Sequence, residues 1–318
     1  MRIVALEEAF SVPGISPAPP PAGLAVRPES LKDWARRLPD VGELRLADMN
    51  AHGVDMQVLS HSTPGLEVMP DPATAVTAAR RINDALAAAI ARHPSRFTGL
   101  AALPLQDPPA AAAELRRSVE QLGLRGALVN DHVQGHFLDE PQFRPVWEAL
   151  EQLQVTLYLH PSVASADSWK VFSGHPALGG ATWGWTAATG AHALRLVYAG
   201  VFDDFPGASL TLGHMGELLP FQMARLDSRF AHSVPARELA HPPSYYVLNN
   251  IYITTSGVHS HPALMGATAA VGIDRVLFAI DYPYESTADA VRFLTTAPYA
   301  PADLARIAYG NADRLLRL

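Results

Sequence analysis

Short apolar runs alternate with longer alanine-rich segments along most of the chain. The short runs are rich in Leu, Val and Ile and have the length of buried strands, whereas the long ones have helical length and periodicity. We predict eight strands, over residues 3–6, 56–60, 97–101, 126–129, 156–159, 209–212, 251–254 and 275–279. The predicted helices include residues 73–92, 110–122, 142–151, 218–230 and 302–318. Eight strands with intervening helices favour an α/β fold, a (β/α)8 TIM barrel, over an open sheet.

Two segments interrupt this alternation, at residues 11–24 and 161–182. The first is rich in proline and cannot be helical. In a compact barrel, a long loop after the first strand is typical of a lid or an interface arm; a surface excursion without a role is the alternative. No repeat or linker divides the chain, so we predict a single barrel domain over residues 1–318.

Composition excludes several classes of protein. The net charge of -7 and the lack of a long basic cluster argue against nucleic acid as a partner. No apolar run is long enough to span a bilayer, and the acidic N-terminal residues do not form an export signal, so we expect a cytoplasmic protein without membrane contact. The absence of cysteine excludes disulfides, a thiolate nucleophile and Cys-based zinc sites. No nucleotide-binding glycine motif is present.

Several predicted strands end in residues that bind metals. The first ends in Glu7 and Glu8, the fifth in His160 and the eighth in Asp281. Each residue alone could be structural, a hydrogen-bonded histidine or a capping aspartate. In a barrel, however, the C-terminal ends of the strands surround one pocket, where two carboxylates and one imidazole form a usable site for a divalent cation. Without a cation, the pooled carboxylates would repel each other.

A second set of candidate residues follows the sixth strand. His214 and Glu217 lie three residues apart, so the carboxylate can orient the imidazole as an acid or base. The alternative is that Glu217 caps the predicted helix and His214 packs. Arg225, eight residues beyond Glu217, could hold Glu217 or a substrate carboxylate, or be solvated. His259 and His261 are spaced like a metal pair but have no carboxylate nearby, so we interpret them as loop residues.

Six segments together resemble the amidohydrolase-2 family, and within it the branch of aromatic-acid decarboxylases. They are ALEEAF, RLADMNAHGVDMQVLS, YLHPS, LGHMGELLPF, IYITTSG and FAIDYPYE, and they follow the family's order over nearly the whole chain. The resemblance implies a distorted (β/α)8 barrel and a homodimer or homotetramer. It implies metal ligands at Glu7, His160 and Asp281, and a pocket dyad of His214 and Glu217 supported by Arg225.

The chain departs from this family at one position. Many members have a Glu-x-His sequence at the end of strand one, whereas this chain has Ala9 in place of the histidine. Three protein ligands and a more oxygen-rich shell favour Mg²⁺ or Mn²⁺, with Zn²⁺ still possible. The missing ligand also predicts weaker binding of the metal and leaves its presence open.

The resemblance implies non-oxidative decarboxylation of a hydroxylated aromatic acid whose ortho hydroxyl chelates the metal. In this hypothesis His214 takes the phenolic proton, Asp281 protonates the ring carbon, and Phe10 contacts the substrate and, with Trp34, helps to close the pocket. Such an enzyme would serve the degradation of aromatic compounds. Two alternatives remain: a hydrolase of a lactone or an amide, for which Ala9 leaves room, and a binding barrel without catalysis.

Overall fold

The computed structural model describes residues 1–15, 26–162 and 170–318, and these residues form a closed, parallel barrel. The strands are β1 (Val4–Phe10), β2 (Met56–His61), β3 (Phe97–Gly99), β4 (Ala101–Ala102), β5 (Gly126–Asn130), β6 (Thr156–His160), β7 (Ser209–Leu212), β8 (Ile251–Thr254) and β9 (Val276–Leu277). Only Leu100 separates β3 from β4, so the two act as one barrel strand. A parallel bridge between Leu6 and Ala279 connects the first strand to the last and closes the barrel.

Helices follow most of the strands, as in a βα repeat. They are α1 (Pro28–Arg37), α2 (Glu43–His52), α3 (Pro72–Arg92), α4 (Pro108–Glu120), α5 (Arg144–Leu153), α6 (Gly184–Tyr198), α7 (Val201–Asp204), the one-turn α8 (His214–Glu217), α9 (Met223–Phe230), α10 (Pro243–Asn250), α11 (His261–Val271), α12 (Thr287–Thr295), α13 (Pro301–Ala305) and α14 (Asn311–Leu316). Within the described residues, no helix is both long and apolar enough to cross a bilayer.

Apolar side chains fill the inside of the barrel below its C-terminal end. One buried cluster contains Val4, Leu6, Val58, Leu100, Leu128, Tyr158, Leu277 and Ala279. Ala312 and Leu316 of α14 belong to this cluster, and Asp313 pairs with Arg2 just before β1, so α14 covers the N-terminal end of the barrel. The opposite faces of the strands pack against the helices in a larger core. This apolar cluster therefore occupies much of the barrel interior below the C-terminal end.

The eight predicted strands are confirmed as barrel strands, but some predicted boundaries are wrong. β1 continues to Phe10 and contains Glu7 within a bulge, where the register with β2 shifts. The helix predicted over residues 218–230 is interrupted because Leu218 is left-handed, with φ 69°, and only α9 is a regular helix there. The terminal helix is not continuous, since a π turn over Arg306–Gly310 separates α13 from α14.

A buried arginine connects the first two strands to the loop before α2. Arg45 is 0% exposed; it donates to the carbonyl of Ala9 at 2.6 Å, to Gln57 Oε1 at 3.1 Å and to the carbonyl of Asp40 at 3.0 Å. Its guanidinium lies 4.4 Å from the ring centroid of Tyr282. A buried cation is tolerated only when its donors are satisfied, and here backbone and amide oxygens satisfy them.

We expect Arg45→Leu to destabilise the protein by about 3–5 kcal/mol, because it leaves buried acceptors without donors. Urea unfolding measures this change as a lower midpoint. Arg36→Leu is the control: Arg36 is exposed and, among the residues that the structure describes, pairs only with Asp33 on the same helix, so we expect a change within about 0.5 kcal/mol. Equal unfolding midpoints for the two variants would contradict the stabilising role of Arg45.

Candidate active site

The predicted strand-end residues converge at the C-terminal end of the barrel. Glu7 comes from β1, His160 is the last residue of β6, His214 follows β7 and Asp281 follows β9. Oε1 of Glu7 lies 3.5 Å from Nε2 of His160 and 3.4 Å from Nε2 of His214. Oδ2 of Asp281 lies 3.9 Å from the same nitrogen of His214. Two carboxylates and two imidazoles thus face one another.

The two oxygens of Glu7 have different environments. Oε2 accepts hydrogen bonds from the hydroxyl of Tyr158 and, at 3.1 Å, from the hydroxyl of Thr254. Oε1 is buried and has no hydrogen-bond partner among the described residues. Gly213 allows this arrangement, because a Cβ there would lie 2.9 Å from both carboxylate oxygens. The oxygen that faces the imidazoles therefore remains available as an acceptor or a ligand.

His160 is held as a neutral imidazole. Its Nδ1 lies 3.0 Å from Oδ1 of Asn130, which can only accept, so Nδ1 carries the proton and Nε2 the lone pair. Burial lowers the pKa of His160 to about 4, although the negative charge of Glu7 opposes this shift. A neutral imidazole with its lone pair on Nε2 is the form that binds a metal ion.

His214 is held by Glu217 in an unusual turn. Nδ1 of His214 lies 2.6 Å from Oε1 of Glu217, and the residues from His214 to Leu218 all have positive φ angles, between 48° and 81°. Burial alone lowers the pKa of His214, but the charges of Glu217 and Glu7 outweigh it and raise this pKa to about 10. The dyad predicted from the sequence is thus assembled, but by a left-handed turn rather than a helix N-terminus.

Asp281 also has a left-handed backbone, with φ 77°. The carboxylate of Glu8 accepts hydrogen bonds from the backbone N–H groups of Ile280 and Tyr282, each at 3.0 Å, and so clamps the residues on both sides of Asp281. Burial raises the pKa of Asp281 well above its usual range, and the charge of Glu7 adds to this shift. This environment favours the protonated form of the carboxyl group.

A small cavity lies above these groups. Its volume is about 10 Å³, and it is lined by Glu7, Ala9, Ser60, His61, Ser62, Thr63, Leu128, His160, Asp281 and Tyr284. The hydroxyls of Ser62 and Tyr284 are 2.5 Å apart, and Trp34 meets the ring of Tyr284 edge-on at 5.0 Å. One wall is therefore rich in hydroxyl groups and the opposite one in carboxylate and imidazole groups.

Two predicted substrate contacts lie elsewhere. Phe10 is buried in the core outside the barrel, with its ring edge-on to His61, and does not line the cavity. Arg225 is exposed on α9 and, within the described parts of the chain, forms no ion pair with Glu217. Their roles in substrate binding stay predictions. Most of the Pro-rich segment, residues 16–25, lies outside the described residues.

The sequence analysis missed the residues that hold the candidate ligands. Tyr158 lies two residues before His160, and Thr254 lies in the quoted IYITTSG segment, so strand alternation could have placed both inside the barrel. Asn130, the last residue of β5, likewise lies at a strand end. No local sequence pattern indicates that Glu8 holds the residues on both sides of Asp281. His259 and His261 approach backbone carbonyls, at 3.4 and 2.9 Å; His259 lies in a loop as predicted, whereas His261 is the first residue of α11, so its prediction as a loop residue is wrong.

The donor set fits one small divalent cation. Oε1 of Glu7 has no hydrogen-bond partner among the described residues, and it faces Nε2 of His160, whose other nitrogen lies against Asn130. Across residues 1–15, 26–162 and 170–318, no group of three or more His, Asp or Glu side chains is already placed closely enough to hold a metal ion. The observed pairs are instead separated by 3.4–3.9 Å, so the groups converge as an open set of ligands.

The fold and the site define a barrel of the amidohydrolase type. The chain belongs to the amidohydrolase family, whose profile matches residues 13–318. It is 40% identical over 329 aligned positions to the γ-resorcylate decarboxylase of Rhizobium sp. (strain MTP-10005), an alignment that covers 99% of this chain and 98% of the relative.

Solved structures show the same similarity. A 2,6-dihydroxybenzoate decarboxylase in complex with 2,6-dihydroxybenzoate superposes with a TM-score of 0.93 at 39% identity and covers 100% of this chain and 99% of its own. A dihydroxybenzoic acid decarboxylase from Polaromonas sp. JS666, with bound manganese and the inhibitor 2-nitroresorcinol, has a TM-score of 0.92 at 36% identity, with 100% and 97% covered. The expected distorted (β/α)8 barrel of this family is confirmed.

The raised pKa of His214 predicts a pH dependence of stability in the metal-free protein. A folded-state pKa of about 10 exceeds the unfolded value of about 6.5, so the stabilisation is complete below about pH 6.5 and is lost as the pH rises through about 10. We expect Glu217→Gln to lower the pKa of His214 and to flatten this loss, as measured by urea midpoints between about pH 6 and 10.

Glu140→Gln is the matched control, because Glu140 bonds His136 in a similar pair whose imidazole is exposed. The slope of stability against pH should change little in this variant. If Glu217→Gln kept the wild-type slope, the charge assigned to His214 would be wrong.

Proposed function

We propose that this protein is a metal-dependent, non-oxidative decarboxylase of a hydroxylated aromatic carboxylic acid. The observation that carries the proposal is the convergence of Glu7, His160, His214 and Asp281 at the C-terminal end of the barrel. The similar proteins named above, which share the fold over almost their full length, decarboxylate γ-resorcylate or dihydroxybenzoate, as their names state. Carboxyl groups with raised pKa values and a basic imidazole are the groups that such a reaction needs.

The metal ligands that we propose are Glu7, His160 and Asp281, and the ion is Mg²⁺, Mn²⁺ or Zn²⁺. Manganese is present in the similar Polaromonas enzyme. When bound, the ion would supply positive charge for a substrate carboxylate and its ortho hydroxyl and would orient the ring. Ala9 lines the cavity without a donor atom, which favours the harder ions that accept oxygen ligands.

Proton transfer is the work of the protein's own side chains. Positive charge from a bound ion would favour the neutral form of His214, which Glu217 orients to accept the phenolic proton, and the oxygen then releases electron density into the ring. The ring carbon that bears the carboxylate then takes a proton from Asp281, whose burial favours the protonated form. The bond to the carboxylate breaks, its electron pair restores the aromatic ring, and CO2 leaves. His214 returns its proton to the oxygen, and Asp281 regains one from solvent.

The lining of the cavity indicates the kind of substrate. Hydroxyl groups of Ser60, Ser62 and Tyr284 face this space and can bind polar ring substituents. We therefore propose a small hydroxybenzoate-type acid as the partner of this site. We continue to expect neither nucleic acid nor membrane as a partner.

The remaining expectations from the sequence stay proposals. A homodimer or homotetramer is supported by exposed apolar side chains near the left-handed turn, with Leu218, Phe221 and Met265 at 39%, 52% and 50% exposure. A single domain over residues 1–318 is supported by the closed barrel. A cytoplasmic location is compatible with the lack of cysteine.

Turnover in heavy water tests the reaction class. We expect deuterium at the ring position that the carboxylate leaves, together with release of one CO2 for each product molecule. Mass spectrometry and NMR of the product measure both quantities across a panel of hydroxybenzoates. Light hydrogen at that carbon would contradict the proposed proton transfer. Ring opening or amide cleavage without CO2 would identify a hydrolase instead.

Asp281→Asn tests the proton donor. We expect loss of turnover by at least about 10³-fold, because the amide can neither deliver the proton nor replace the carboxylate as a ligand. Circular dichroism and the unfolding midpoint check that the fold is retained. Asp289→Asn, on the exposed surface of α12, is the control and should keep wild-type turnover. Near-normal activity of Asp281→Asn would remove Asp281 from this role.

A further inference from the structure

A buried carboxylate outside the cavity remains to be explained. Glu67 is 4% exposed and lies between β2 and α3. Its Oε1 accepts a hydrogen bond from the backbone N–H of Asn130 at 2.8 Å, and its Oε2 lies 3.4 Å from Nδ2 of the same residue. Glu67 forms no ion pair with any residue that the structure describes. Burial without a cation is unfavourable for a carboxylate, so a local function is expected to compensate for it.

The carboxylate of Glu67 determines the orientation of the side-chain amide of Asn130. An ionised carboxylate only accepts hydrogen bonds, so it selects the orientation in which Nδ2 of Asn130 faces Glu67. Oδ1 then faces the opposite way, where it lies 3.0 Å from Nδ1 of His160. An amide turned by 180° would instead direct its two donors at His160. Glu67, Asn130 and His160 thus form a series of hydrogen bonds. The carboxylate of Glu67 determines which group donates and which accepts in each of them.

The backbone around Glu67 is built for this close contact. Gly65 has φ 68°, and a Cβ at this position would lie 2.1 Å from Oε2 of Glu67 and 2.2 Å from Nδ2 of Asn130. Only glycine allows the loop to pass here. Asn130, the last residue of β5, pairs in register with His160, the last residue of β6. The distance between the amide and the imidazole is thus set by two adjacent strands.

We propose that Glu67 is a positioning residue that, acting through Asn130, fixes His160 as the Nδ1-protonated tautomer. Nε2 then presents its lone pair toward Oε1 of Glu7, 3.5 Å away. The expected effect on metal affinity rests on the proposed role of His160 as a metal ligand. The tautomer of His160 does not depend on the proposed reaction. Residues that orient a ligating histidine typically change metal affinity about 10–100-fold when they are replaced.

The first experiment measures the tautomer of His160 without metal or substrate. Two-bond ¹H–¹⁵N spectra of the metal-free protein, labelled at histidine, distinguish Nδ1–H from Nε2–H; His160→Gln assigns the signal. Burial raises the pKa of Glu67 to about 7, although hydrogen bonds from Asn130 oppose this shift. Spectra are therefore recorded at about pH 8.5, where Glu67 is ionised. We expect Nδ1–H in the wild type. Nε2–H there would overturn the proposal whatever the variants show.

Glu67→Gln should weaken the preference of His160 for the Nδ1–H tautomer. The amide of the introduced glutamine can donate to Oδ1 of Asn130, which allows the Asn130 side chain to turn. We expect a substantial population of Nε2–H at His160. The matched control is Glu114→Gln: Glu114 is also 4% exposed and also accepts from an asparagine, Asn83, at 2.8 Å, but it lies outside the site. His192 is an internal reference, since Asp131 and the N–H of Leu138 fix its tautomer.

A rescue variant separates orientation from mere packing. In Glu67→Gln with Asn130→Asp, the acceptor-only carboxylate moves to position 130, where it accepts from both the glutamine amide and His160. We expect the Nδ1–H tautomer to return. A folded double variant that still showed Nε2–H, or a folded Glu67→Gln that kept pure Nδ1–H, would overturn the proposal. The double variant provides this test even if Glu67→Gln alone does not fold.

Affinity for Mn²⁺ provides the second readout. Titration of the metal-free protein against a competing chelator should show about 10-fold or weaker binding for Glu67→Gln, recovery in the double variant and no change in Glu114→Gln. A tautomer change without any change in affinity would overturn the link to the cation. Neither readout uses a substrate, so failure of the proposed decarboxylation would leave both results interpretable.

Discussion

The structure is organised around negative charge that is buried at the mouth of the barrel. Glu7 and Asp281 lie in the same site, and burial together with Glu7 raises the pKa of Asp281. Carboxylates brought together out of water are unfavourable unless positive charge or protons compensate for them. Cationic His214 compensates in part, with Glu217 behind it, and a divalent ion among Glu7, His160 and Asp281 would do so further. The same imbalance supplies a proton donor and a basic imidazole, the two groups that the proposed reaction uses.

Holding these groups in place requires unusual backbone conformations. Glu7, His214, Glu217 and Asp281 all have φ angles between 48° and 77°. Residues other than glycine adopt this region at a cost and keep it only where their surroundings impose it. Those surroundings are visible: Ser256 Oγ accepts from the N–H of His214 at 2.9 Å, and other buried groups hold the residues beside Asp281. Stability elsewhere in the barrel compensates for strain at the site.

Membership of the amidohydrolase family does not by itself fix the reaction, because one barrel supports many chemistries. The decarboxylase proposal depends on the donor groups and on relatives that match nearly the whole chain. Ala9 distinguishes the proposed site, because its methyl group offers no donor atom and the proposed cation would have three side chains as ligands. Orientation of the remaining imidazole, His160, therefore matters more, which gives the buried contact between Glu67 and Asn130 a functional reason.

The sequence by itself determined the eight strands, the barrel class and the candidate residues Glu7, His160, His214, Glu217 and Asp281, because strand periodicity is local and strand ends in a barrel share one face. Tertiary structure decided the rest. The alternation of strands could not show that Glu8 holds the Asp281 loop across 272 residues of chain, or that Phe10 packs outside the barrel. It also could not show the left-handed turn after His214, which breaks the predicted helix at Leu218. Contacts between distant segments select those conformations against local preference, so only the folded chain reveals them.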